Sequence, residues 1–148
     1  MTQRVLHVLS QRPSRTGSGV TLEHLANHAA DAGWTQRAII GVPAEDPHPA
    51  VGSLAPSAVH PLVFDRDPLS FPVPGMSDVM PYRSTRFSTL TEGQVEAYLE
   101  AWRGHIAPVI ADFRPDIIHS HHVWLMSSAL KDIAPHIPVV THCHATGL

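Results

Sequence analysis

One cysteine, Cys143, is all that the 148 residues carry. An intrachain disulfide needs two and a multi-cysteine zinc site needs more, so both are excluded, and a lone thiol fits a reducing compartment. The chain has no apolar stretch near the ~20 residues that a membrane-spanning helix requires, and the run at its start is too short for a secretory signal. It also lacks a basic block. Ten Lys and Arg are scattered against thirteen Asp and Glu, for a formal net charge of −3, which gives a phosphate backbone or an anionic bilayer nothing to grip. No internal repeat or low-complexity block is present. What remains is the expectation of one soluble, cytoplasmic globular domain over residues 1–148, with 43% hydrophobic residues to build a core and no nucleic-acid or transmembrane role.

The positive signals are strands and helices in alternation. Arg4–Leu9 reads as a first strand, residues 10–19 as a loop of Gly, Ser and Arg, and Leu22, Leu25, Ala26 and Ala29 recur at helical spacing behind it. Ser18 or Gly19 is expected to cap that helix and Gly33 to end it. Residues 36–42 form a second strand and residues 58–64 a third, with Pro61 marking an edge. Residues 65–90 are proline-rich and show no clear period, and a loop of that length is expected to be functional or mobile. Thr91 with Gln94 makes a capping box, and Val95, Leu99, Trp102, Ile106, Ile110 and Phe113 make a core stripe, with Pro108 expected to kink or split the helix near Gly104. A strand at 116–121, a helix at Leu125–Ile133 and a strand at 138–142 complete the pattern.

Such alternation predicts an α/β fold, a Rossmann-like doubly wound parallel sheet whose strands are buried on both faces. With strand order 3-2-1-4-5 the switch point falls between the first strand and residues 117–120, and ligands in these sheets bind past the carboxyl ends of the strands. There the sequence places Gly17-Ser-Gly19 on one side and His119, His121, His122, His142 and His144 on the other. A glycine-rich loop at a helix start suits a phosphate, through free N–H groups and the helix dipole. Leu22 stands where a dinucleotide fingerprint needs its third glycine, and the alternative is a plain flexible turn. His119 with His121, and His142 with His144, are same-face pairs that could ligate Zn²⁺, but no cysteine pair or carboxylate joins them, so no metal is expected. His119 and His142 are expected to be packed and bonded to backbone. Arg83 and Arg86, in Tyr82-Arg-Ser-Thr-Arg-Phe87, could clamp an anionic or sugar-like acceptor or simply be solvated.

Gly17-Ser-Gly-Val20, Pro115-Asp-Ile-Ile-His-Ser-His-His-Val-Trp124 and Val139-Val-Thr-His-Cys-His-Ala145 together resemble the amino-terminal half of retaining nucleotide-sugar glycosyltransferases of family 4, with GT-B architecture. The resemblance runs from Val5 to Leu148 and is weak over residues 43–90. Family members often carry an aromatic residue where His122 stands. The resemblance implies a cleft between two Rossmann-like halves, metal-independent transfer without a cofactor, a nucleotide-sugar as co-substrate, and an acceptor sugar or small molecule held by this half. It assigns Gly17, Ser18 and Gly19 to the donor phosphates and sets His144 facing the donor sugar; His144 with His121 are the candidate catalytic residues, and Arg83, Arg86 and His122 the candidate acceptor contacts. It also implies a C-terminal nucleotide-sugar domain that these residues do not contain, supplied by the same or another chain. This chain alone is therefore expected to be inactive, and the full-length enzyme to be free to associate peripherally with a membrane. A non-catalytic module binding a phosphate or sugar is the alternative, and a His-rich metal binder a further one.

Overall fold

The computed structural model describes residues 2–145. Its strands are β1 (Arg4–Leu9), β2 (Thr35–Pro43), β3 (Val59–Phe64), the two-residue strands β4 (Pro74–Gly75) and β5 (Thr85–Arg86), β6 (Ile117–His121) and β7 (Val139–His142). Its α-helices are α1 (Gly17–Asp31), α2 (Glu92–Phe113) and α3 (Leu125–Ile133). Among the described residues five strands form one parallel sheet in the order β3-β2-β1-β6-β7, and β4 pairs with β5 apart from it. The protein is thus a Rossmann-like doubly wound α/β domain with its switch point between β1 and β6, where His7 faces Ala38 on one side and His119 on the other. No helix among the described residues is long and apolar enough to cross a membrane.

Two cores lie on opposite faces of the sheet. Under α1, Leu22 packs with Leu9, Ala38, Ile40, Val42 and Val51. Under α2 and α3, Leu6, Val8, Ile39 and Ile118 meet Phe64, Tyr98, Trp102, Ile106 and Phe113. Phe64 is the hub of the second core, with Phe71, Tyr98 and Trp102 at ring-centroid distances of 5.9, 6.0 and 6.3 Å.

Several expectations are corrected. Thr16, not Ser18 or Gly19, caps α1: its hydroxyl accepts from the Gly19 N–H at 3.2 Å. Gly33 does end the helix, in the left-handed region at φ 76°, with its N–H on the Ala30 carbonyl and that of Trp34 on the Ala29 carbonyl. Pro108 does not split α2, which runs unbroken from Glu92 to Phe113. Gly104 and Pro108 are both exposed, so the carbonyl deprived of its donor can be hydrated while Trp102, Ile106 and Val109 hold the buried side. The buried stripe is centred on Tyr98, Trp102, Ile106, Val109 and Phe113, with Leu99 and Ile110 on its margin. Within residues 65–90, which show no clear period in the sequence, Leu69, Phe71 and Val73 enter the main core. Finally, β7 is not buried on both faces. It is the sheet edge among the described residues, its side chains are half-buried or exposed, and Val140 is 53% exposed.

Candidate functional site

A cleft of about 410 Å³ opens at the carboxyl ends of β1 and β6 and is lined by Gln11, Arg15, Thr16, Gly17 and Ser18 on one side and by His122 and His144 on the other, with Met76, Ser77, Val79, Met80 and Pro81 as a third wall. The first side exists because β1 feeds directly into the start of α1. At that start the N–H groups of Gly19 and Val20 are taken by the hydroxyl and carbonyl of Thr16. Those of Gly17 and Ser18 have no hydrogen-bond partner among the described residues, so the anion-binding potential of the helix end narrows to these two. Gly17 has open space where a side chain would begin. Gly19 does not, since a Cβ there would stand 2.5 Å from the backbone nitrogen of Ser14 and 2.9 Å from the carbonyl carbon of Pro13. Gly19 lets the loop fold against its own helix and Gly17 leaves the cleft open.

Gln11 holds this corner together, and sequence reasoning passed over it. Its buried amide nitrogen donates to the hydroxyls of Ser18 at 2.7 Å and Thr16 at 3.1 Å, while its carbonyl oxygen accepts from the N–H of Met76 at 3.3 Å. The available signal was position, a bifunctional amide two residues beyond a strand at the switch point. Arg12, next to it, ion-pairs with Asp46 and so fixes the loop to the segment after β2.

On the other side the histidines form a continuous row. His7 Nδ1 lies 3.1 Å from His119 Nδ1, and His121 Nδ1 lies 3.0 Å from His144 Nε2. His119 and His121 have ring centroids 4.5 Å apart, and His142 stacks on His144 at 4.4 Å with an interplanar angle of 7°. Thus His119 contacts another imidazole rather than backbone, and His142 is exposed, both contrary to the expectation of packed, backbone-bonded rings. His122 sits in the left-handed region at φ 66°, its N–H on the His142 carbonyl at 3.1 Å, which ties the turn after β6 to β7 and places its ring 4.6 Å from that of His144. His121 is fully buried behind His144 and does not line the cleft.

Burial lowers the pKa of every shifted member of the row. His119 is pushed down to about 4 by burial and then by His7, His142 and His144, and His121 to about 2 by burial and then by His119, His144, His7 and His142. His144 is lowered by burial and by His142. His7, His119, His121 and His144 are therefore neutral at pH 7, and each of these rings offers one N–H donor and one acceptor. Among the described residues no three His, Cys, Asp or Glu side chains are grouped to hold a metal ion.

Arg83 and Arg86 are not brought to this cleft. Arg83 is exposed and reaches Asp65 at 3.4 Å, and Arg86 is exposed on β5. Of the residues expected to act together, the structure joins Gly17, Ser18, His122 and His144 and places His121 behind them.

Residues 16–148 match the model of the glycosyl transferase 4-like domain. The chain belongs to that family. Among solved structures this glycosyl transferase 4-like domain is similar to sucrose-phosphate synthase from Thermosynechococcus elongatus, with a TM-score of 0.59 and 14% identity over 97% of the chain. At that identity the likeness is one of fold. The domain spans 33% of the length of that synthase chain. No match was found among curated proteins.

Proposed function

We propose that this glycosyl transferase 4-like domain is the acceptor-side half of an enzyme that moves a sugar from a nucleotide-sugar to an acceptor with retention of configuration. The observation that carries the reading is the single cleft in which the unpartnered N–H groups of Gly17 and Ser18 face His144 across the switch point. In this reading the two N–H groups, the α1 dipole and the Arg15 guanidinium meet the donor diphosphate. No carboxylate lines the cleft, so its donor set suits an anion and not a hard divalent cation, which takes oxygen ligands, usually carboxylates.

His144, neutral and at the cleft wall, donates a hydrogen bond to the donor sugar as charge develops at its anomeric carbon. His121, buried and bonded to the His144 ring, is a positioning residue and keeps that ring from rotating. The leaving phosphate, held by Gly17 and Ser18, stays on the face from which it departs and assists attack there. The remaining donor contacts come from a further domain, so the chain by itself releases no nucleoside diphosphate from nucleotide-sugars.

Gly17→Asp tests the phosphate assignment. The position has room for a side chain, and a carboxylate at a helix start is good for the helix, so the fold should be retained or slightly stabilised. Binding of uridine 5′-diphosphate, followed by calorimetry, should fall by about tenfold or more, since an added like charge in contact costs on the order of 1 kcal/mol or above. Unchanged binding would remove the loop from the donor site.

A further inference from the structure

A second cleft, of about 370 Å³, adjoins the first and shares Met76 and Ser77 with it. Its floor is aromatic. Phe87 and Trp124 lie with ring centroids 5.2 Å apart, and Phe87 is itself braced edge-on against the buried Tyr98 at 6.2 Å. Trp124 caps the start of α3, where its carbonyl accepts from the Ser128 N–H, yet its side chain stays 42% exposed. The wall is equally fixed: β4 leads into Met76 and β5 into Phe87, and the pair is tied down by the Thr85 hydroxyl on the Pro72 carbonyl at 2.6 Å. Over the aromatic floor stand Ser77, Asp78 and Ser88. The Asp78 carboxylate has no hydrogen bond or ion pair among the described residues, and the Ser88 hydroxyl has none either.

We infer that this cleft is the acceptor subsite and that it takes an uncharged, sugar-like acceptor, not a phosphorylated one. The inference rests on the transferase reading above and adds to it the substrate class and the residues. A rigid pair of aromatic rings suits the C–H face of a pyranose, and a carboxylate flanked by two hydroxyls suits its hydroxyl groups, for which Asp78 is the strong acceptor. Asp78 is also the one ionisable side chain lining the cleft, and it repels phosphate. Arg83 and Arg86, the cations of this segment, line neither cleft. The shared Met76–Ser77 wall brings a hydroxyl bound here beside the donor end at His144, as transfer requires.

The test compares methyl α-D-glucopyranoside with glucose 6-phosphate by saturation-transfer NMR titration, on the wild-type chain and on Trp124→Ala and Asp78→Asn, with uridine 5′-diphosphate as the probe of the first cleft. The neutral glucoside should bind and the phosphate ester should bind several-fold more weakly. Each substitution should weaken the glucoside by about tenfold, the effect of losing an aromatic platform or a charge-assisted hydrogen bond. The nucleotide should be unaffected in both variants. Should Trp124→Ala unfold, Asp78→Asn, at an exposed position, carries the test. Tighter binding of glucose 6-phosphate, no glucoside signal, or a glucoside affinity indifferent to the substitutions would overturn the inference. Glucoside binding that depends on Trp124 and Asp78 without nucleotide binding would support this subsite while removing the phosphate assignment, so the two readings fail separately.

Discussion

The two faces of the sheet are built by opposite rules. The face under α2 and α3 is closed by large aromatic and aliphatic side chains, with Tyr98, Trp102, Phe64 and Ile106 fully buried. The face under α1 is closed over β1, β2 and β3. Beyond them Trp34, Val140, His7, His119 and His142 border an open groove of about 470 Å³. One face uses its strands for cohesion, and the other gives the same strands to titratable rings that reach toward the cleft. The difference teaches where stability and where chemistry are invested, and it can be broken or sharpened by substitution on each side.

The largest effect is expected on the closed face. Trp102→Ala should destabilise the domain by about 3–5 kcal/mol in denaturant unfolding, because it removes a fully buried ring from among Phe64 and Tyr98 and leaves a cavity. A loss below about 1 kcal/mol would mean that this core is not what holds the sheet.

On the other face the cost should appear in rate instead. His144→Ala, in a transfer-competent protein containing this domain, should slow transfer about a hundredfold, equivalent to about 3 kcal/mol, while the melting temperature changes little. Near-normal transfer with lost stability would make His144 a packing residue.

Acid should unmask the row next. An unfolded imidazole titrates near 6.5, whereas His119 titrates at about 4 and His121 at about 2 when folded, so unfolding takes up protons in the interval between. The contribution of His119 and His121 is complete above about pH 6.5; that of His119 is lost as the pH falls through about 4 and that of His121 only as it falls toward about 2, at up to ~1.4 kcal/mol per pH unit for each proton taken up. Melting temperatures recorded from pH 7.5 to 4.5 should therefore decline, and His119→Asn should flatten the decline. A flat profile in the wild-type chain would show that these rings are not buried as neutral species.

The smallest effect belongs to the open groove. Val140→Thr, at a half-exposed edge position, should change stability by less than about 0.5 kcal/mol, measured under the conditions used for Trp102→Ala. A loss comparable with that of Trp102 would mean the two faces are equally closed in solution.

Much of this contrast could be read from the residues, and the parts that could not share a cause. Strand order, the switch point, the end of α1 at Gly33 and the meeting of Gly17 and Ser18 with His122 and His144 follow from periodicity and connection rules that act locally. The alternation of Leu69, Phe71 and Val73 was present too, but Pro68, Pro72 and Pro74 around them read as loop, and only the tertiary docking of that segment shows it to be core. The pattern offered Ser18 or Gly19 as the cap that Thr16 in fact provides, because the choice depends on where the chain leaves Gln11. The half-exposure of β7 and the distance of Arg83 and Arg86 from the cleft are facts about neighbours, which a strand pattern or a pair of cations does not carry.

One bond chain settles a matter of protons. The Gln36 side chain spends its amide nitrogen on the Ala26 carbonyl at 2.9 Å, so its oxygen is what meets His7 Nε2 at 2.9 Å. Nε2 must then carry the hydrogen. In a neutral ring that leaves His7 Nδ1 bare, and the 3.1 Å contact to His119 Nδ1 is a hydrogen bond only if His119 is the Nδ1–H tautomer. A main-chain carbonyl of α1 thereby dictates, through an amide and two rings, that His119 Nε2 is a lone-pair acceptor. The polarity of the first half of the row is set by the backbone, and ¹⁵N chemical shifts should report opposite tautomers for His7 and His119.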